Sequence, residues 1–210
     1  MKAYSLVLCL VLCLVPALPY AQTRPDALSE YRSGNYERAV AICKDEITAN
    51  KRNLDAHVVI CWSLIRLHRY GEALVYARQG RGISLYDPRI IEILGEISYY
   101  EGHNIEALQY FQEYINLAPE GLRIETVYYF LGEIYIRLGR FRHADIALST
   151  AVHWQPGNAL WWTRLAYARE NAGELQEAVV AYQRALALNS QLVDARRGLN
   201  RARQSLGSRR

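Results

Sequence analysis

Residues 125–144, ETVYYFLGEIYIRLGRFRHA, decide the fold. Tyr128, Leu131, Gly132 and Tyr135 recur at i, i+3, i+4 and i+7, which places them on one face of a helix. Gly139 ends that helix, because glycine enters the left-handed region without a Cβ penalty. Phe141, Ala144, Leu148 and Ala151 then form the inner face of a second helix, which Pro156 closes. The stretch reads as two helices packed back to back. The small residues Gly132 and Ala144 sit where the two approach most closely.

The turn of this helix pair returns along the chain. Gly34-Asn35-Tyr36-Glu37-Arg38-Ala39 repeats the pattern of Gly139-Arg140-Phe141-Arg142-His143-Ala144. Looser copies run from His68 to Ala73, from Gly102 to Ala107 and from Gly173 to Ala178. Their alanines step by 34, 34, 37 and 34 residues. A period of 34 residues built from helix pairs predicts a solenoid, in which each unit buries its apolar face against its neighbours.

The full pattern of residues 125–158 resembles the tetratricopeptide repeat, whose motif runs Trp-x2-Leu-Gly-x2-Tyr, then Gly-x-Tyr, Ala, Phe, Ala and Pro. The other units vary around it. Residues 88–121 keep Leu94, Gly95, Gly102, Ala107, Phe111 and Pro119; residues 159–192 keep Trp162, Leu165, Ala166, Gly173, Ala178, Tyr182 and Ala185. Residues 54–87 keep Ile60, Cys61, Leu64, Tyr70 and Ala73, and their second helix is expected to end early around Gly80-Arg81-Gly82. Residues 20–53 give a truncated first helix over Asp26–Ser33 and a good second one over Tyr36–Ala49. The three extra residues within Glu120–Ile124 predict a longer turn at Gly121, with an extra turn on the next helix as the alternative. Residues 193–206 read as an amphipathic capping helix, followed by a basic tail over 207–210. The expected fold class is all-α: a right-handed α-solenoid of about five helix-turn-helix repeats plus this cap, covering 22–192 and 193–206.

The start of the chain reads as an export signal. Lys2 supplies a cationic end, Leu6 to Val15 is an unbroken apolar run, and Pro16 to Ala21 supplies a breaker and small residues. Cleavage is expected after Ala21, with Ala17 as the alternative. The run of about ten residues is too short to span a bilayer. Cys9 and Cys13 lack the small preceding residue of a lipobox, because leucine precedes each. A lipid anchor here is therefore atypical. Export implies a periplasmic location, with secretion or membrane attachment as alternatives. Loss of residues 1–21 removes only Lys2, so the formal charge falls from +4 to +3. That balance points to no nucleic-acid partner. Membrane contact is left to the lipid anchor or to the C-terminal arginines. Cys43 and Cys61 read as small core residues on adjacent helices.

No catalytic or metal-binding pattern is present in the sequence, and no cofactor is expected. The five histidines fall at unrelated repeat positions, with no His-x3-His or Cys-x2-Cys pair. The resemblance implies instead a concave groove lined by the first helix of each unit. Its positions two, five, nine and twelve correspond here to Asp55, Val58, Trp62 and Ile65; Arg89, Glu92, Glu96 and Tyr99; Thr126, Tyr129, Glu133 and Ile136; and Leu160, Thr163, Tyr167 and Glu170. The lysine and asparagine with which the chaperone-binding subfamily holds a C-terminal carboxylate are missing. Trp62, Tyr99, Tyr129 and Tyr167 are expected as aromatic anchors, with Glu96 and Glu133 as solvated carboxylates between them. The predicted partner is a protein or peptide segment with apolar side chains and some positive charge, bound by a non-catalytic scaffold in envelope assembly or secretion. The alternative is a ligand-binding accessory subunit of an envelope transporter.

Overall fold

A computed structural model describes residues 26–208; residues 1–25, which include the expected export signal over 1–21, and the terminal Arg209 and Arg210 lie outside them. Among the described residues there are helices and turns only. In chain order they are α1 (Ala27–Arg32), α2 (Tyr36–Ala49), α3 (Leu54–Arg66), α4 (Tyr70–Ile83), α5 (Pro88–Tyr100), α6 (Asn104–Leu117), α7 (Ile124–Arg137), α8 (Phe141–Trp154), α9 (Ala159–Ala172), α10 (Leu175–Leu188) and α11 (Val193–Gly207). None is long and apolar enough to cross a membrane.

Local chemistry sets the helix limits. Asp26, Asn53, Asp87 and Asn158 each accept hydrogen bonds from the first-turn N–H groups of α1, α3, α5 and α9. Each such cap contributes about 1 kcal/mol. Between the helices of a pair the chain turns through a left-handed residue: Gly34, Gly102, Gly139 and Gly173 have φ of 82°, 82°, 68° and 89°. In the second pair a histidine holds that place, with His68 at φ 57°. Its Nδ1 lies 2.7 Å from the Tyr70 hydroxyl, which offsets part of the backbone cost.

Each helix packs on the next in sequence, and α1, α3, α5, α7, α9 and α11 also touch in succession. The backbones of the second helices stay apart, and only long side chains bridge them, as where Arg81 of α4 meets Glu113 of α6 at 2.7 Å. The first helices are thus drawn together on the inside of the curve, and the second helices fan out on the outside. This is the right-handed α-solenoid of five helix pairs with α11 as its cap.

Close approach within a pair depends on missing side chains. A Cβ on Gly95 would stand 2.7 Å from Phe111 Cε1, and one on Gly132 would enter the Leu148 side chain. Phe111, Leu148 and Tyr182 are fully buried, each contributing about 1.5–3 kcal/mol. Helix α4 departs from expectation. It does not end early but runs to Ile83, as long as its counterparts. Gly80 is buried in it, and a Cβ there would stand 2.6 Å from Ile90 Cδ1, so this glycine serves packing against α5 and does not break the helix. Cys43 and Cys61 are free, buried thiols on α2 and α3; burial pushes Cys43 up to about 12.

Candidate functional site

The concave face is built from α1, α3, α5, α7, α9 and α11, and the sequence-derived positions divide there into two sets. Val58, Ile65, Glu92, Glu96, Tyr99, Glu133 and Thr163 are buried against the chain itself. Trp62, Arg89, Tyr129, Ile136 and Tyr167 keep part of their surface. Helical spacing brings the residues to one face, and the packing of the next repeat decides which of them a partner can reach.

The aromatic anchors illustrate this. Tyr99 is 8% exposed: its ring packs 4.8 Å from Phe130, and the Arg137 guanidinium lies 3.7 Å above it. It holds repeats together. Tyr129 stacks on Trp161 at 4.9 Å and 11°, and Trp62 leans on Tyr31 at 5.8 Å. Tyr167 stands edge-on to Phe141 beneath the Arg164 guanidinium. These last three rings are braced by neighbours yet remain half-exposed, which is the arrangement of a preorganised contact surface.

The carboxylates are not solvated, contrary to the expectation for Glu96 and Glu133. Three arginines reach back across a repeat boundary to cover them. Arg123 Nη2 donates to Glu92 at 2.8 Å and to Glu96 at 3.4 Å; Arg164 Nε donates to Glu133 at 2.6 Å; Arg201 Nε donates to Glu170 at 2.9 Å. The Tyr182 hydroxyl also donates to Glu170, at 2.7 Å. The carboxylate side chains are 1%, 11%, 11% and 15% exposed, and their arginines 44%, 35% and 52%. At these three boundaries the groove therefore shows solvent its guanidiniums and hides its carboxylates, the reverse of the charge expected there, whereas Asp55 at the rim stays exposed. Each of these arginines spends its Nε and Nη2 edge on the chain and makes no recorded bond through Nη1.

The sequence positions two, five, nine and twelve contain none of these arginines. The signal that finds them is a different spacing: Glu92 to Arg123, Glu133 to Arg164 and Glu170 to Arg201 are each 31 residues apart. Arg123 owes its place to the extra residues before α7. Gly121 turns the chain there, its N–H donating to the Ala118 carbonyl at 2.9 Å, and the Arg123 N–H donates to the Tyr114 hydroxyl at 3.2 Å.

Charge is unevenly matched along the face. Around Arg123 two buried carboxylates share one cation, and Glu92 Oε2 has no hydrogen-bond partner among the described residues. Burial and the Glu92 carboxylate together push Glu96 up to about 8. Beside this cluster lies a small hollow of about 210 Å3 walled by Tyr31, Trp62, Ile65 and Arg66. Arg89 bridges Asp87 and Asp55 at the rim, and Ile136 packs into the C-terminal core. At the other end, α9 and α11 flank a larger, partly open cavity of about 530 Å3. Among the described residues no group of three or more His, Cys, Asp or Glu side chains is placed to hold a metal ion.

A family model described as tetratricopeptide repeat matches residues 125–158 and 162–192. No curated protein sequence matches the chain. Among solved structures, the crystal structure of MamA is similar over 80% of this chain and 96% of its own, at 18% identity and a TM-score of 0.67. PilW, described as a widely conserved type IV pilus biogenesis factor, is similar over 86% of this chain and 83% of its own, at 20% identity and a TM-score of 0.74. A chain of the APC/C hetero-tetramer Cut9–Hcn1 has a TM-score of 0.76 at 18% identity, over 84% of this chain and 35% of that one. Residues 125–158 and 162–192 thus match the tetratricopeptide-repeat model, and they are set in a solenoid that shares the fold of these structures.

Proposed function

We propose that this chain is an exported, non-catalytic scaffold that holds a segment of a partner protein in its concave groove. The observation that carries the reading is a single curved face on which half-exposed, braced rings (Trp62, Tyr129 and Tyr167) alternate with outward guanidinium edges. Rigid aromatics and arginines give large contact energy at small entropic cost. The fold supports the same reading, since a chain of similar fold is assembled into the Cut9–Hcn1 hetero-tetramer. The apolar leader supports export to the periplasm, and the likeness to a pilus biogenesis factor is in keeping with work in envelope assembly.

Photo-cross-linkers placed at Trp62 and Tyr167, and at Ile146 and Val180 on the second helices, test it in the native cells. The groove positions should capture a defined protein and the outer positions should not. Capture from the outer positions alone would refute the groove assignment. Retention of the leader in the mature protein would refute the cleaved export signal.

A further inference from the structure

We propose that the cavity between α9 and α11 is a subsite for an acidic side chain of the partner segment, with an apolar neighbour of that residue packed beside it. The proposal rests on the groove reading above and names the chemistry of what the groove holds.

The helical period brings two faces together here. Leu160, Thr163, Arg164 and Tyr167 project from α9, and Val193, Asp194, Arg197 and Arg201 project from α11. The volume, about 530 Å3, falls in the range in which proteins hold small ligands. Three guanidiniums line it. Arg164 and Arg201 are oriented by Glu133 and Glu170, which lie behind them and leave Nη1 of each uncommitted. Arg197 makes no ion pair and no side-chain hydrogen bond among the described residues. A guanidinium already oriented on one edge loses little freedom when its other edge binds a second carboxylate.

Two further observations point to an anion. The first turn of α11 lines the cavity, and no side chain caps it, whereas Asn158 caps α9. Its free N–H groups and dipole favour negative charge there. Asp194 is the lone carboxylate on the cavity wall, set at that helix start, and it competes with an incoming acid. Thr163 and Gln191 are neutral polar members of the wall, and much of the rest is aliphatic or aromatic. Tyr129, Tyr167, Leu160 and Leu192 flank the cations, so a bare inorganic anion leaves most of the lining without a contact. An acidic residue next to a leucine or an aromatic one satisfies both kinds of wall.

The test is a fluorescence anisotropy titration of the purified protein with an end-capped glutamate–leucine–tyrosine–glutamate peptide, run beside its glutamine and lysine counterparts. The acidic peptide should bind about tenfold tighter than the glutamine form. Arg197→Gln should weaken it about fivefold, since an exposed, unpaired arginine is lost without disturbing the fold, and Asp194→Asn should tighten it. Unchanged helicity and melting temperature in both variants keep the comparison valid. Equal affinity for the three peptides, indifference to Arg197→Gln, or displacement by equimolar inorganic phosphate would each overturn the acidic-segment subsite. The groove reading is judged separately. If cross-linked partner is retained at Tyr167 in the Arg197→Gln variant at full affinity, the subsite falls and the scaffold stands. If no partner reaches the groove, the scaffold falls, and the peptide series still decides the subsite.

Discussion

The α5–α7 boundary and the α9–α11 boundary are assembled from the same parts in opposite proportions. At the first, Glu92 and Glu96 share Arg123 and are themselves buried, so negative charge is in surplus and withdrawn from water. At the second, Glu170 is met by Arg201 and by the Tyr182 hydroxyl, with Arg197 to spare at an open cavity. The difference teaches where a charge surplus can go. A buried surplus is relieved by keeping a proton, and an exposed one is available to a ligand.

Removing the cation at each boundary is the harshest way to break this comparison. Arg123→Leu should cost about 3–5 kcal/mol in urea unfolding, because it strands a carboxylate that has almost no access to water. Arg201→Leu, whose guanidinium is half in solvent, should cost about 1 kcal/mol or less. Equal losses would erase the distinction between the two boundaries. A packing control comes next. Gly132→Ala places a methyl group in the Leu148 side chain and should cost about 1–3 kcal/mol, whereas Gly71→Ala meets open space and should be neutral or stabilising.

The proton itself sharpens the contrast. Folded Glu96 keeps its proton up to about pH 8, while the unfolded chain releases it near the ordinary value of 4.5. Between those limits the folded state binds more protons, so this group lowers stability as pH rises. Glu96→Gln should therefore stabilise the protein by about 1–2 kcal/mol at pH 8, and the gain should vanish below about pH 5. Glu133→Gln, at the one-to-one boundary with Arg164, should destabilise at pH 8 instead. Melting curves from pH 5 to 9 give both signs in one experiment. The smallest effect lies at the turn of the second pair: His68→Gly should gain about 0.5–1 kcal/mol by removing a left-handed histidine, less whatever the Tyr70 contact contributes.

The fold was legible because its determinants are local. Capping residues, the glycines at positive φ and the 3.6-residue spacing all act within one repeat, and each could be read from a window of about 34 residues. His68 shows the tolerance of that code, and Gly80 shows its limit. The same residue type that ends a helix elsewhere continues one here, because Ile90 of the next unit occupies the space.

The groove was only half legible, for a related reason. Which residues face inward follows from helical phase, and the notional site residues do lie on the first helices. Whether Glu133 meets water or Arg164 depends on the following repeat, and Arg123 arises from the very residues that interrupt the period. A frame built on regularity had no position in which to place it. The burial of Tyr99 under Arg137 is a product of the same interlocking.

The Arg–Glu contacts across α5–α7, α7–α9 and α9–α11 have a mechanical consequence. All lie on the inner edge of the curve, whereas the outer edge is bridged only toward the N-terminus among the described residues, by Arg69 to Glu37 of α2 at 3.0 Å and by Arg81 of α4 to Glu113 of α6 at 2.7 Å. The C-terminal half of the molecule is a strip sewn along one margin, and opening the groove there stretches each seam in series. Its stiffness against spreading is electrostatic in part, so rising ionic strength should loosen the exposed outer side of each stitch before it disturbs any core. A segment that binds across two boundaries then does more than occupy the groove. It sets the radius to which the strip is bent.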